Sequence, residues 1–184
     1  MKSIKTLVVL LLVLAGLQTN TAAQEIVQEK SYIAFKVSNM KWSTVEGKLP
    51  KLTGNVSFDP DNPQAGSFHV QTLPEHIHTG VGMRDNHLQK EDFFYTSSFP
   101  AISFRSTRIV KTNTGYETEG VLSMKGQSKS ITIPFRVSRK DGYLILEGIT
   151  AINRSDFNIG EGFGSFTIGE EVRIDITCTL RQEE

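Results

Sequence analysis

From Ile26 onward, apolar and polar residues alternate in short runs. Ile131, Ile133, Phe135 and Val137 alternate with Thr132, Pro134, Arg136 and Ser138, and the stretch from Val172 to Leu180 alternates as cleanly against Arg173, Asp175, Thr177 and Thr179. A period of two sends successive side chains to opposite faces, so these runs predict strands with one dry face and one wet face. Shorter runs with the same period are Ile33-Phe35-Val37, Leu52-Gly54-Val56-Phe58 and Ile102-Phe104. Turn-forming clusters separate them: Asp59-Pro60-Asp61-Asn62-Pro63, Thr112-Asn113-Thr114-Gly115 and Asp141-Gly142. The last two read as hairpin connections. Sequential hairpins of half-buried strands imply an all-β, antiparallel meander or barrel, and closing the sheet removes its exposed edges. Pro134 has no N–H for the ladder, which predicts a bulge or the barrel rim at that position.

The alternation breaks between Thr79 and Leu88. Gly80 and Gly82 punctuate the end of a strand-like run, and the following residues predict a short helix near residues 82–90. Three-residue spacing places Arg84 and His87 on one face of it, with Asp85 and Leu88 on a neighbouring face. Phe93 and Phe94 follow at once, and Pro100 restarts extended structure, as expected of a helical plug held by aromatics at a barrel mouth. Gly160, Gly162, Gly164 and Gly169, interleaved with Phe163, Phe166 and Ile168, form the most permissive segment. A strand follows them rather than a helix, so they predict a mobile loop over that mouth and not a phosphate-binding turn.

The first residues change the setting. Lys2 and Lys5 precede an apolar run from Leu7 to Leu17, then Thr21-Ala22-Ala23, which is the pattern of a secretory leader over residues 1–23 cleaved after Ala23. The expected product is an exported, periplasmic domain over residues 24–184. About 160 residues suffice to bury a core without disulfides. The lone cysteine, Cys178, falls in the apolar register of the last strand and reads as a small buried hydrophobe. Formal net charge is zero, and no basic run is interleaved with aromatics in the exported part, which argues against nucleic acid as a partner.

The run T-G-x-x-x-R-D-x-H-L at residues 79–88, then Phe93-Phe94 and Pro100-x-Ile102-x-Phe104, resembles the signature of the YceI-like family. Ser31 to Val37 and Gly54 to Asp59 resemble early strands of that family, Gly120 to Gly126 with Lys129 and Ile131-Thr132-Ile133 resembles its G-x-L-T-x-x-G-x-x-K-x-V run, and Arg154-Ser155-Asp156-Phe157 its R-x-D-F motif. Three positions depart from the pattern: Asn39 where His is common, Leu49 where Phe is common after Gly47, and Asn158 where Gly often follows R-x-D-F. The first two lie at strand ends and bear on ligand shape more than on fold. The resemblance implies a lipocalin-like barrel of about eight strands that binds a polyisoprenoid or another long-chain lipid without catalysis. It implies no cofactor. Transient membrane contact and a homodimer are compatible with such a carrier.

Read as binding groups, the same residues assemble a mouth. Arg84 offers a planar donor fork suited to a phosphate, and His87, the Thr79 hydroxyl and amides near Gly80 and Gly82 add hydrogen-bonding groups. The alternative for Arg84 and Asp85 is that they pair locally to fix the helix. Arg154 carries the same choice, between a ligand contact and an ion pair with Asp156. Phe93, Phe94 and Phe104 are expected in the core or lining the cavity, and Trp42 in the core or as a flap over the opening.

Two other classes compete with the carrier. His76 and His78, two apart on a strand, would share one face, so His69, His76, His78 and His87 beside Asp85 outline a metal-binding protein or metal-dependent enzyme. A serine hydrolase is disfavoured by the absence of a G-x-S-x-G elbow, and the adjacent Glu91 and Asp92 would diverge on a helix. The third class is a structural or stress-response envelope protein whose barrel is filled by its own side chains.

Overall fold

The computed structural model describes residues 23–182; the stretch expected to be a leader, apart from Ala23, lies outside the described residues. The described residues form nine strands: β1 Tyr32–Asn39, β2 Ser43–Pro50, β3 Thr53–Ser57, β4 Ser67–Thr72, β5 Ile102–Thr112, β6 Gly115–Met124, β7 Gln127–Lys140, β8 Tyr143–Asn153 and β9 Ile168–Arg181, with long connections only before β5 and β9. The one α-helix among the described residues, α1 Gly82–Leu88, lies between β4 and β5, as its lost alternation predicts. All pairings are antiparallel, in the order β2-β1-β9-β8-β7-β6-β5-β4-β3. The expected hairpins at 112–115 and 141–142 are present. Asp141 and Gly142 both have positive φ, 52° and 77°, which matches the twist of the strands they join.

The sheet curls into a half-barrel whose edge strands, β2 and β3, are neighbours in sequence. Other segments cover those edges. His78 and Lys48 exchange backbone hydrogen bonds of 2.9 and 2.8 Å across the β2 edge, and Gln24 donates its amide to the Val56 carbonyl of β3 at 2.7 Å. The Thr72 hydroxyl donates to the Pro50 carbonyl at 3.0 Å. Each edge is thereby partly occupied, at Lys48 of β2 and Val56 of β3, which shortens the run open to pairing with other chains.

Pro134 does not make a bulge. The β6–β7 ladder passes through Glu117↔Pro134 without a shift, and the register shifts lie instead at Val37/Asn39 and Ser106/Arg108. β7 pairs with β8 only from Phe135↔Gly148 onward, so the missing N–H falls where that ladder ends.

One end of the barrel is packed solid. Phe58 touches Phe68, Tyr116 and Phe135 at ring separations of 5.9, 5.2 and 5.5 Å, and Val56, Ile109, Leu144 and Leu180 beside them are almost wholly buried. Each such side chain contributes about 1.5–3 kcal/mol by leaving water. The segment before β1 closes this base, with Ile26 paired to Leu180 and the Val27 amide donating to the Thr179 carbonyl at 2.8 Å.

Candidate functional site

Above the aromatic base the interior is open. Inward-facing Ile33, Phe35, Ile152, Val172, Ile174 and Ile176 are only partly buried, although they sit in the same register as the packed residues below them. They line a cavity of about 410 Å³ whose wall is almost entirely hydrocarbon. Along β9 the unbroken lining runs from Val172 to Cys178, roughly 20 Å at the strand rise, and Ile168 extends it toward the mouth. The inward register also contains glycines. A Cβ on Gly47 would sit 2.2 Å from the Phe35 ring, and one on Gly120 2.4 Å from the Phe104 ring. Two large rings therefore lie flat against the wall instead of crossing the lumen. Cys178 forms part of the deep wall, and burial pushes its thiol up to about 12, so it stays protonated and apolar.

At the upper end α1 is tied down by its own motif. The Asp85 carboxylate, 9% exposed, accepts the Thr79 amide at 2.8 Å and the Thr79 hydroxyl, and His78 Nδ1 lies 3.3 Å from its other oxygen. Arg84 donates from Nε to Thr79 Oγ1 at 2.8 Å and from Nη2 to the Thr79 carbonyl at 2.9 Å. Thr79 is thus the hub on which Arg84 and Asp85 close. Arg84 also lines the cavity, as do His87, Phe93, Phe94 and Phe104; Thr79 does not. The His87 ring packs edge-on against Phe93 at 5.0 Å.

Burial alone would raise the Asp85 carboxyl, but the hydrogen bonds from Thr79 and the neighbouring His78 outweigh it and hold the group below its ordinary value. A depressed carboxylate contributes stability that is fully present above the ordinary value of 3.8 and is lost as pH falls through the lower folded value. Melting temperatures followed down through about pH 4 should therefore drop more steeply in the parent protein than in Asp85→Asn. Parallel acid limbs for the two proteins would mean that Asp85 does not hold the motif as a carboxylate.

Arg154 lies at the cavity wall, 6% exposed, and its donors point into the glycine-rich loop. Nε reaches the Gly169 carbonyl at 3.1 Å, Nη1 those of Ile159 and Gly160 at 2.9 and 2.8 Å, and Nη2 those of Phe163 and Ile168 at 2.7 and 3.1 Å and the Glu170 carboxylate at 2.9 Å. All five N–H groups are engaged. The anion beside Arg154 is Glu170 and not the Asp156 that its sequence position suggests. The loop over the mouth is therefore tethered from inside.

The other candidates separate. Trp42 is 74% exposed and stands edge-on to Phe166 at the barrel's upper end. His69 is on the outward register of β4, while His76, His78 and His87 lie beside different carboxylates, Glu75, Asp85 and Asp92. Among the described residues, no three His, Cys, Asp or Glu side chains gather as a metal site would require. The inward glycines and the reach of Arg154 were not anticipated; glycine at an inward position of a strand is the one sequence signal that marks where a neighbouring ring lies down.

Comparison with known proteins agrees with this architecture. The YceI-like domain profile matches residues 24–180. A UPF0312 protein of Yersinia enterocolitica is 28% identical over 142 residues, 74% of this chain and 74% of that protein. Among solved structures, BcnA of Burkholderia cenocepacia aligns with a TM-score of 0.77 at 24% identity, over 84% of this chain and 99% of its own. A polyisoprenoid binding domain from Saccharophagus degradans, implicated in plant cell wall breakdown, aligns with a TM-score of 0.71 at 13% identity, over 89% and 99%. At such identities the structural likeness speaks for the fold. With the profile spanning nearly all of the described residues as well, the chain belongs to the YceI-like domain family.

Proposed function

We propose that the protein holds one long-chain lipid, an isoprenoid or a fatty chain, in its barrel and carries it without catalysing a reaction, in the periplasm after loss of the leader. The observation that carries this reading is the set of inward apolar residues, Ile33, Phe35, Ile174 and Ile176 among them, that face an open cavity instead of each other. Every 100 Å² of lipid surface taken from water there contributes about 2.5 kcal/mol, so a long hydrocarbon needs no polar contact along its length. The family and its polyisoprenoid-binding structural neighbour support the same ligand class. A filled barrel would bring its upper register into mutual contact, and a metal enzyme would gather the histidines; neither feature supports those alternatives as well.

The polar end of the lipid belongs at Arg84 and His87, which α1 presents to the cavity, since the donors of Arg154, the other cation on the lining, are engaged by the loop. An added long-chain isoprenol should raise the melting temperature, since a ligand that binds only the folded chain stabilises it by mass action. Arg84→Ala should weaken binding of the corresponding prenyl phosphate by about 1.5–3 kcal/mol, the size of a hydrogen bond to a charged group, with little effect on the alcohol. Equal losses for both ligands, with a lowered melting temperature, would assign Arg84 wholly to the support of Thr79.

A further inference from the structure

Six large hydrophobic side chains are exposed among the described residues, and five of them, Met40, Trp42, Val81, Met83 and Phe166, sit in three segments at the upper end of the barrel. The three segments converge. Met40 donates its amide to the Thr167 carbonyl at 3.0 Å, and Trp42 meets Phe166 edge-on at 5.7 Å, which joins the β1–β2 hairpin tip to the glycine-rich loop. On the other side, the chain that pairs His78 with Lys48 runs antiparallel to β2, passes Gly47 at Thr79, and so carries Val81 and Met83 toward Ser43 and the same hairpin tip. Asn39, Val45, Arg84 and Thr167, one or more from each segment, line the cavity at this end. The sixth exposed hydrophobe, Ile149, is alone on the outer face of β8.

Scattered exposed hydrophobes need no explanation, but a cluster confined to the rim of an apolar cavity does. We infer that this rim docks onto a lipid bilayer, inserting Trp42, Phe166 and Met83 at headgroup depth, so that the cavity opens toward the membrane. The residue types are those that partition into the interface: an indole, a phenyl ring and flexible thioethers, beside Lys41, whose ammonium lies 5.4 Å from the Phe166 ring and can remain among headgroups. The exposed rim amounts to a few hundred Å², less than the roughly 800 Å² per partner of a stable protein interface. A bilayer sets no such minimum, because each inserted side chain gains independently. Continuity with the cavity gives the contact its use: a lipid chain passes between membrane and barrel without crossing water. With a formal net charge of zero, insertion of apolar groups and not attraction to anionic lipid drives the contact.

The purpose assigned to the contact rests on the carrier reading, whereas the contact itself is measured independently. Trp42 is the only tryptophan of the chain and so reports directly on the rim. With phosphatidylcholine vesicles, its emission should shift to the blue and be quenched by brominated phosphatidylcholine, with little further change when about a third of the lipid is anionic phosphatidylglycerol. Vesicle partition should fall about tenfold in Met83→Ser and in Phe166→Ser, and stay unchanged in Ile149→Ser, which removes an equally exposed hydrophobe away from the rim. The inference is overturned by an emission that ignores both kinds of vesicle, by partition equal in all variants, or by a blue shift that follows protein concentration without vesicles, the mark of a second copy on the rim. Lipid carriage is read separately from the melting temperature with isoprenol delivered in detergent micelles. Vesicle binding without that rise keeps the docking and removes the carrier; the rise without vesicle binding does the reverse.

Discussion

Arg154→Met should lower the folding stability by about 3–5 kcal/mol, the cost of leaving several buried loop carbonyls without their donor. Methionine fills much of the same space, so the loss isolates the guanidinium. Five carbonyls, of Gly169, Ile159, Gly160, Phe163 and Ile168, lose the guanidinium, Gly160 keeping the Phe163 amide as a loop partner, and Glu170 loses its cation. Each buried carbonyl left unpaired costs about 1–3 kcal/mol, moderated where the loop lets water in. Lysine should not rescue the defect, because three donors on one nitrogen cannot span acceptors arranged around a planar fork. Thermal unfolding of the parent, Arg154→Met and Arg154→Lys proteins measures this directly. A variant that melts like the parent but binds lipid poorly would instead make Arg154 a ligand contact.

That role could not be read from the chain alone, since the partners of Arg154 are backbone carbonyls and carbonyls have no sequence signature. Asp156 is adjacent and suggests itself, yet the side chain turns inward to Glu170. The strands are legible where alternation is complete, as from Ile131 to Val137 in β7 and from Val172 to Leu180 in β9. They were harder to see in β2, β6 and β8, because Gly47, Gly120 and Gly148 occupy inward positions and interrupt the apolar register. Those interruptions serve packing: Phe35 lies over Gly47 and Phe104 over Gly120. α1 is legible from its lost alternation, but helical spacing alone does not decide between binding and scaffold for Arg84 and Asp85. The structure places both in the Thr79 hydrogen-bonded hub while leaving Arg84 on the cavity wall. The histidine cluster was a nearness in sequence that the fold disperses, because β4, the turn at Pro74–His76 and α1 point their side chains to different surroundings.

Ile176→Trp should abolish lipid binding and leave the empty protein as stable as the parent. Ile176 faces the lumen between Ile33 of β1 and Gly148 of β8; Ile133 already packs over Gly148, so an indole at 176 extends into the open cavity. In a hollow barrel the added rings fill empty space, and filling a cavity commonly raises stability by about 0.5–2 kcal/mol. In a barrel already filled by its own side chains, the same change overpacks the core and costs about 1–3 kcal/mol. Stability and binding thus move apart if the cavity is a lipid site, and stability alone falls if it is not.

Native mass spectrometry of the parent protein purified from a bacterial host, followed by organic extraction, tests the carrier most directly. A bound apolar species of defined mass should be present in the parent, be lost on refolding from guanidinium, and be missing from Ile176→Trp. A parent protein that emerges lipid-free, with a melting temperature indifferent to long isoprenols and fatty amides, would contradict the account.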